Sequence, residues 1–342
     1  MKNKQSFQVT QSAIITFMSI ISNCTTSAIQ DAAASLIAGN LVAFPTETVY
    51  GLGADACNKE AVARIYEVKG RPSDHPLIVH ISSIDHLDKW ARDIPEYAIK
   101  LARVFWPGPI TLILPRTKLA KDFITGGQNN VGIRVPAHKV ALALLKDFEA
   151  QGGLGVAAPS ANRFGKVSPT TSTAVELELV KYLSNTDKIM DGGASTIGVE
   201  STIIDCTNLQ PLILRPGSVS LEMIEEVLGV KLNLGLVTTK VTKAPGLLDN
   251  HYAPNAKVFL TGTPSPGDGY IALSDFSTPI GAIRLASPKD NIEYAQILYE
   301  SLRFGDIKCL KRIFVVPPNN QGIGLAINDR LVKAASNSLS LT

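Results

Sequence analysis

The stretch KGRPSDHPLIVH (69–80) joins the end of a predicted helix to an apolar run, Leu77–Ile81, that is typical of a buried strand. Lys69 and Arg71 place two cations directly after that helix. A second polar stretch, Ser160-Ala161-Asn162, follows another apolar run farther along the chain. Cations neutralise phosphate oxygens, and short polar side chains beside free backbone N–H groups can hold the rest of a nucleotide. We therefore predict a nucleotide-binding site that needs no Walker loop.

Helical and strand patterns alternate around this stretch without a strict strand–helix repeat. A helix is predicted over Ala28–Ala38, where Ser27 and Gln30 form a capping-box pattern. Asn58 can cap the next helix, which is predicted to end at Lys69 and Gly70. This irregular mixture favours an α/β domain with a mixed, twisted sheet over a doubly wound parallel one.

The chain divides into four predicted parts. Residues 1–25 are predicted to be an N-terminal extension and residues 26–231 the first domain. Residues 232–256 are rich in proline and glycine and lack periodicity, which predicts a linker that acts as a lid. Residues 257–342 again alternate strands and helices, which predicts a smaller, Rossmann-like α/β domain.

Composition limits the class of protein and its compartment. The 342 residues are 45% hydrophobic and 18% charged with a net charge of +3, a composition that excludes intrinsic disorder. The four cysteines lack metal-ligand spacing, which favours a reducing cytoplasm and no metal site. The apolar segment Ala13–Ile21 is too short to span a bilayer and lacks a signal-peptide cleavage site. We therefore expect a cytoplasmic protein that does not associate with membranes.

Common catalytic motifs are missing from the sequence. It contains no Walker A motif, no G-x-G-x-x-G after a strand, no H-E-x-x-H and no G-x-S-x-G. These absences argue against the usual NTPases, dehydrogenases, zinc proteases and α/β-hydrolases.

Several polar residues lie at the ends of predicted elements, and for each a structural interpretation stays open. Lys69 and Arg71 could simply be cations at a helix C-terminus. His80, at the end of a buried strand, could be a core histidine. Arg134 lies in an otherwise apolar strand and needs an anion, either a substrate carboxylate or an internal ion pair. The stretch PTETVYGLG (45–53) is dense in hydroxyls for a plain turn.

Seven motifs in a fixed order carry a family resemblance. They are PTETVYGLG (45–53), KGRPSDHPLIVH (69–80), WPGPITLIL (106–114), GIRVPAH (132–138), APSAN (158–162), GVESTIID (198–205) and ILRPG (213–217). In these motifs the chain resembles the YrdC-like family of threonylcarbamoyl-AMP synthases. HYAP (251–254) and the C-terminal part resemble the long, two-domain members.

The resemblance implies a nucleotidyltransferase reaction. L-threonine, bicarbonate or CO₂, and ATP would give L-threonylcarbamoyladenylate and pyrophosphate, with Mg²⁺ bridging the phosphates. A downstream threonylcarbamoyl transferase complex would then modify adenosine 37 of tRNAs that read codons beginning with A. This protein would meet tRNA only indirectly.

The resemblance also implies site residues, of which Lys69 and Arg71 would be catalytic. ATP would contact Lys69, Arg71, His75, Asn130, Ser160, Asn162, Ser168, Arg215 and Tyr252. Threonine would contact Thr48, His80, Arg134 and Ser201. His75 stands where many members have asparagine.

Two other functions compete with this interpretation. An RNA-binding or ribosome-associated module could use the same basic concavity, although aromatic RNA-binding strands are missing. Carbamoyl-adenylate enzymes of hydrogenase maturation carry extra zinc-finger parts, and this chain has no CxxC pairs.

Overall fold

The computed structural model describes residues 21–232, 244–246 and 252–339, so the predictions for residues 1–20, most of the linker and His251 lie outside the described residues. Within these ranges the strands are β1 (Ile21–Asn23), β2 (Val42–Phe44), β3 (Gly51–Asp55), β4 (Ile78–His80), β5 (Ile110–Pro115), β6 (Asn130–Arg134), β7 (Val156–Ala157), β8 (Lys188–Asp191), β9 (Thr202–Asp205), β10 (Leu212–Arg215), β11 (Lys257–Phe259), β12 (Gly269–Ile271), β13 (Ile283–Ala286) and β14 (Arg312–Val315). The helices are α1 (Thr26–Ile37), α2 (Lys59–Lys69), α3 (Leu87–Trp90), α4 (Glu96–Phe105), α5 (Asp122–Thr125), α6 (Lys139–Ala150), α7 (Ser172–Leu179), α8 (Leu221–Leu228), α9 (Asn291–Ile307) and α10 (Gly324–Leu339). Two short 3₁₀ turns cover Ile84–His86 and Val180–Tyr182.

The first domain is built on one large mixed sheet. Its strand order is β1-β8-β2-β3-β7-β4-β6-β5-β9-β10. Parallel pairs such as β4 with β6 and β5 with β9 alternate with antiparallel pairs such as β5 with β6. The predicted mixed α/β sheet is therefore confirmed, and it places sequence-distant strand ends side by side.

Both faces of this sheet are covered. In β2, Val42 and Phe44 belong to one apolar core, while Ala43 and the preceding residue Leu41 belong to the core on the other side. This alternation follows from the two-residue period of a strand. Because both faces are buried, polar groups of this domain concentrate at the strand ends.

Helix α2 ends where the stretch 69–80 begins and so determines the position of that stretch. The Asn58 side chain accepts a hydrogen bond from the Ala61 N–H at 3.0 Å and caps the helix, as predicted. Gly70 ends it in the left-handed conformation with φ of 60°. Lys69 is therefore the last helical residue, and the chain turns there toward β4.

The predicted cap of α1 is wrong. The Thr25 hydroxyl, not that of Ser27, accepts the hydrogen bond from Ala28 N–H at 3.2 Å. Thr25 has an extended backbone, as an N-cap requires, whereas Ser27 already lies inside the helix.

The start of the first domain also differs from the predicted boundary at residue 26. Residues 21–23 form β1, which pairs in parallel with β8 so that Ile21 lies opposite Ile189. Ile21 packs against the larger apolar core. The sheet therefore includes residues that the sequence assigned to the extension.

The sequence does not predict strand β3, because its residues resemble a turn. Gly53 lies so close to the neighbouring strands that an added Cβ would come within 2.8 Å of both Phe44 and Val156. Glycine is needed there for close approach inside the sheet, not for a bend.

The C-terminal domain has the predicted parallel α/β architecture. Its four strands are parallel in the order β11-β14-β12-β13, and α9 and α10 contribute to its core. Its core also contains Val49, Val167 and Val199 of the first domain, so the two domains share buried apolar surface. Within the described residues, no helix is both long and apolar enough to cross a membrane.

Candidate active site

A cavity of about 60 Å³ lies where strand ends and loops of the large sheet meet. Predicted site residues that line it are Thr48, Arg71, His80, Arg134, Ser160, Ser201, Arg215 and Tyr252. The sequence separates these residues widely, and the sheet brings them together. Predicted residues that do not line it are Lys69, His75, Asn130, Asn162 and Ser168.

The strand register explains two of the lining residues. His80 ends β4 and Arg134 ends β6, and the two residues are direct partners in this parallel pair. The carboxyl ends of parallel strands lie at one edge of a sheet, so both side chains can reach the same space. Ser201 directly precedes β9, and Arg215 ends β10, which runs antiparallel to β9. The start of one strand therefore lies beside the end of the other, and the two residues are close together.

The ammonium group of Lys69 binds the loop that follows β7. Its Nζ donates to the Ser160 carbonyl at 2.6 Å and to the Asn162 carbonyl. Burial, reinforced by the charge of Arg71, lowers the pKa of Lys69 well below its usual value. Lys69 therefore does not line the cavity itself but holds the loop of Ser160, which does.

Two arginines present charge at the cavity wall. Arg71 donates from Nη2 to the Pro76 carbonyl at 3.0 Å, while its buried Nε has no partner among the described residues. Burial lowers the pKa of Arg71 to about 10. Arg215 donates to the Ser201 carbonyl at 2.9 and 3.1 Å and to the Pro245 carbonyl at 3.0 Å. A buried donor without a partner suits an anionic ligand.

Arg134 makes an internal ion pair. Its Nη2 donates to Oε1 of Glu47 at 2.5 Å, its Nη1 to the Thr48 hydroxyl at 3.0 Å and its Nε to the Gly108 carbonyl at 3.3 Å. The structural alternative left open by the sequence is therefore realised. A guanidinium carries five N–H donors, so these three contacts leave capacity for a substrate carboxylate.

The surroundings of His80 favour its neutral form. Its ring is buried, its Nδ1 has no partner among the described residues, and it packs edge-on against Phe44. Burial, with a smaller contribution from Arg134, lowers the pKa of His80 to about 3. A neutral imidazole beside the cavity can accept or donate one hydrogen bond to a ligand.

This lowered pKa predicts an acid-sensitive fold. The unfolded chain takes up a proton near the ordinary value of 6.5, whereas folded His80 does not until about pH 3, so stability falls as the pH drops through 6.5. Between pH 7 and pH 5, we expect the free energy of unfolding of the wild type to fall by about 2 kcal/mol more than that of His80→Gln. Denaturant unfolding of both proteins at the two pH values measures this difference. Equal losses in both proteins would show that His80 does not contribute.

Glu200 is a cavity-lining residue that sequence reasoning did not single out, although it lies within GVESTIID. Its Oε1 accepts from the Ser168 hydroxyl at 2.6 Å, which gives Ser168 an indirect place in the site. Burial alone raises the pKa of Glu200, but Arg330 and Arg215 outweigh burial and hold it at about 2. The only sequence signal for Glu200 is that it is a carboxylate residue within this motif.

Three residues of the predicted linker line the cavity. Pro245, Gly246 and Tyr252 belong to its lining, and Tyr252 is almost fully buried. Gly246 has φ of 81°, and a Cβ there would clash with the Tyr252 hydroxyl. Ligand pockets usually measure about 300–1,000 Å³, so this arrangement is too small for a nucleotide. We therefore expect these linker residues to move when ATP enters.

Three predicted ATP residues lie beside the cavity. Asn162 donates to the Arg163 and Lys166 carbonyls at 2.7 and 2.8 Å, and its buried Oδ1 has no partner among the described residues. His75 packs edge-on against Phe164, whose ring faces Arg71. Asn130 lines a neighbouring cavity of about 10 Å³ that shares Ile78 and Pro245 with the larger one.

Comparison with known proteins places the chain in a family. Residues 34–217 match the Sua5/YciO/YrdC family model, described as telomere recombination, and residues 219–336 match the model described as the threonylcarbamoyl-AMP synthase C-terminal domain. The threonylcarbamoyl-AMP synthase of Pyrococcus abyssi is 41% identical over 90% of this chain and 94% of its own length. That of Bacillus subtilis is 40% identical over 90% and 92%.

A solved structure agrees with the whole architecture. The crystal structure of P. abyssi Sua5 complexed with L-threonine superposes with a TM-score of 0.83 at 39% identity, covering 92% of this chain and 97% of that one. The match therefore extends over most of both domains of this chain. The chain belongs to the Sua5/YrdC family of threonylcarbamoyl-AMP synthases.

Proposed function

We propose that this protein is an L-threonylcarbamoyladenylate synthase that uses L-threonine, bicarbonate or CO₂, and ATP. The observation that carries the proposal is a cavity that gathers Arg71, Arg134 and Arg215 with small hydroxyl residues. Such a wall suits two anions, a triphosphate and a carboxylate. Family membership and the complex of P. abyssi Sua5 with L-threonine support threonine and ATP as substrates.

The chemistry needs positioning and charge stabilisation. The amine of threonine adds to CO₂ and loses a proton to give a carbamate. A carbamate oxygen then attacks the α-phosphorus of ATP, the bond from that phosphorus to its bridging oxygen breaks, and pyrophosphate leaves. No side-chain nucleophile takes part, and the arginines stabilise the developing charge.

On the nucleotide side, we assign Arg71 and Arg215 to the phosphates. Lys69 holds the Ser160–Asn162 loop whose polar groups line or adjoin the cavity. The remaining assigned ATP residues are His75, Asn130, Ser168 and Tyr252. The histidine at position 75 retains one hydrogen-bond donor, so we expect it to support nucleotide binding.

On the amino-acid side, we assign Arg134 to the threonine carboxylate. Thr48, His80 and Ser201 complete this group, and Thr48 is already bonded to Arg134. The neutral His80 suits a hydroxyl or amine partner because it adds no second charge beside Arg134.

Mg²⁺ would enter with ATP as part of the substrate. Glu200, the carboxylate at the cavity wall, is already bonded to Ser168, Tyr299 and Arg330. This donor set fits an ion held mainly by phosphate oxygens and water, and in the described part of the chain no group of three or more metal-binding side chains is clustered.

The product would serve a downstream threonylcarbamoyl transferase complex that modifies adenosine 37 of tRNAs reading codons that begin with A. We place this reaction in the cytoplasm, where ATP and tRNA are available. This protein would hand over an adenylate and would not itself need to bind tRNA.

Pyrophosphate release with each substrate omitted in turn tests the proposal. We expect release only when ATP, threonine and bicarbonate are all present, together with a threonylcarbamoyl-AMP product identified by mass. Release that does not depend on threonine would reject the synthase. Tight RNA binding without any pyrophosphate release would favour the RNA-binding alternative.

Arg134→Lys should weaken the use of threonine more than the use of ATP. Lysine keeps the charge but cannot make a bidentate carboxylate contact, so we expect the KM for threonine to rise about tenfold and that for ATP to change little. Glu47→Gln is the matched control, because it disturbs the ion pair without removing the guanidinium. Equal effects of both variants on both KM values would show that Arg134 serves only the ion pair.

A further inference from the structure

Two side chains of the C-terminal domain reach the wall of the candidate active site. Arg330 of α10 and Tyr299 of α9 each donate to Oε2 of Glu200 at 2.8 Å. Both side chains are fully buried, and Glu200 lines the cavity. The C-terminal domain therefore binds a residue of the cavity directly.

The same two side chains hold Tyr252. Its ring stacks on Tyr299 with centroids 5.8 Å apart and an angle of 23° between the planes. The Arg330 guanidinium carbon lies 5.2 Å from the centre of the Tyr252 ring, within the range of a cation–π contact. Tyr252 has φ of 63°, a conformation that residues other than glycine avoid, so surrounding contacts must maintain it.

The Arg330 guanidinium is paired with carboxylates at two of its three nitrogens. Its Nη1 pairs with Asp329 at 2.6 Å, but its buried Nη2 has no partner among the described residues. Leaving a buried charged donor unsatisfied costs stability. Such a cost is typical of functional positions.

We propose that Arg330 and Tyr299 are positioning residues for ATP, which set Glu200 and Tyr252 at the cavity wall so that the C-terminal domain completes the nucleotide side of the site. This inference rests on the proposed function and assigns a role to the C-terminal domain. Arg330 acts through Tyr252 and Glu200 and is not itself a lining residue.

A second ion pair between the domains provides a matched control. Arg303 of α9 lies 3.3 Å from Glu178 of α7 and donates to the Val167 carbonyl at 2.7 Å. Both partners are largely buried, and neither lines the cavity. Arg303→Met therefore removes a comparable interdomain contact without removing a partner of Glu200 or Tyr252.

A double-mutant cycle on the full-length protein tests the proposal, with the Kd for magnesium-ATP measured by calorimetry. We expect Arg330→Met to weaken ATP binding at least about tenfold while the KM for threonine changes less than about threefold. In the Tyr252→Ala background, Arg330→Met should weaken ATP binding by clearly less than its roughly tenfold effect in the wild-type background, because only the contact with Glu200 is then left to lose. Arg303→Met should lower the melting temperature without changing ATP affinity.

Milder variants keep the test informative if Arg330→Met fails to fold. Arg330→Lys retains the charge and should restore part of the ATP affinity, and Tyr299→Phe removes only the hydroxyl that binds Glu200. Full additivity with Tyr252→Ala, or an equal loss of ATP affinity in Arg303→Met, would overturn the inference.

The outcome is separable from that of the proposed function. If the wild-type protein binds ATP but makes no threonylcarbamoyl-AMP, the proposed synthase function is rejected. The double-mutant cycle can still be evaluated, because it measures ATP affinity. Normal synthesis together with unchanged ATP affinity in Arg330→Met and Tyr299→Phe rejects the positioning role alone.

Discussion

Lys69→Ala is expected to lower kcat/KM for pyrophosphate formation by roughly 30- to 1,000-fold, which corresponds to about 2–4 kcal/mol of lost transition-state stabilisation. The variant removes a buried cation beside Arg71. It also leaves the carbonyls of Ser160 and Asn162 without their donor, so the loop at the cavity wall loses its anchor. Steady-state kinetics with each of the three substrates varied in turn measure the loss.

An exposed lysine on the same helix is the control. Lys59→Ala at the start of α2 should keep full activity, because its side chain lies at the surface and does not reach the cavity. Near-normal turnover of Lys69→Ala would reject the assignment of Lys69. Circular dichroism and the melting temperature of both variants would separate a loss of folding from a loss of function.

Ending the chain at Leu232 should impair synthesis on the order of 100-fold, an amount that misplacement of site groups can cause. The truncation removes Pro245, Gly246 and Tyr252 from the cavity wall and opens it to water. It also removes both partners of Glu200 from the C-terminal domain. We expect a folded first domain whose adenylate product, if formed, is lost faster.

Product analysis over time distinguishes the two parts of this prediction. The lifetime of threonylcarbamoyl-AMP in the presence of the full-length and shortened proteins reports on shielding from water, while initial rates report on synthesis. Unchanged lifetime and unchanged rate in the shortened protein would reject a covering role for the linker.

Local signals in the sequence predict much of the frame. Asn58 and Gly70 bound α2 as expected, since caps act within a few residues and depend little on tertiary context. The cap of α1 was assigned to the wrong hydroxyl because Thr25 and Ser27 are both good caps. Only the backbone, extended at Thr25, distinguishes them.

From the sequence, residues of the site can be predicted only where a local motif marks them. His80 and Arg134 were singled out as polar residues at apolar strands, but their pairing depends on the register of β4 with β6. Glu47 as the partner of Arg134 depends on the path of the loop after β2. Arg330 carries no local signal, since its partner Glu200 lies 130 residues earlier.

The separation between Glu200 and Arg330 has a consequence for the nascent chain. The ten strands that the described residues contribute to the large sheet are all synthesised by Arg215, so the first domain can begin to fold while the C-terminal domain is still missing. At 5–20 residues per second, the 130 residues between Glu200 and Arg330 take roughly 6–26 s to emerge. During that interval Glu200 lacks its arginine, and its surroundings stay open to chaperones and proteases until translation delivers α10.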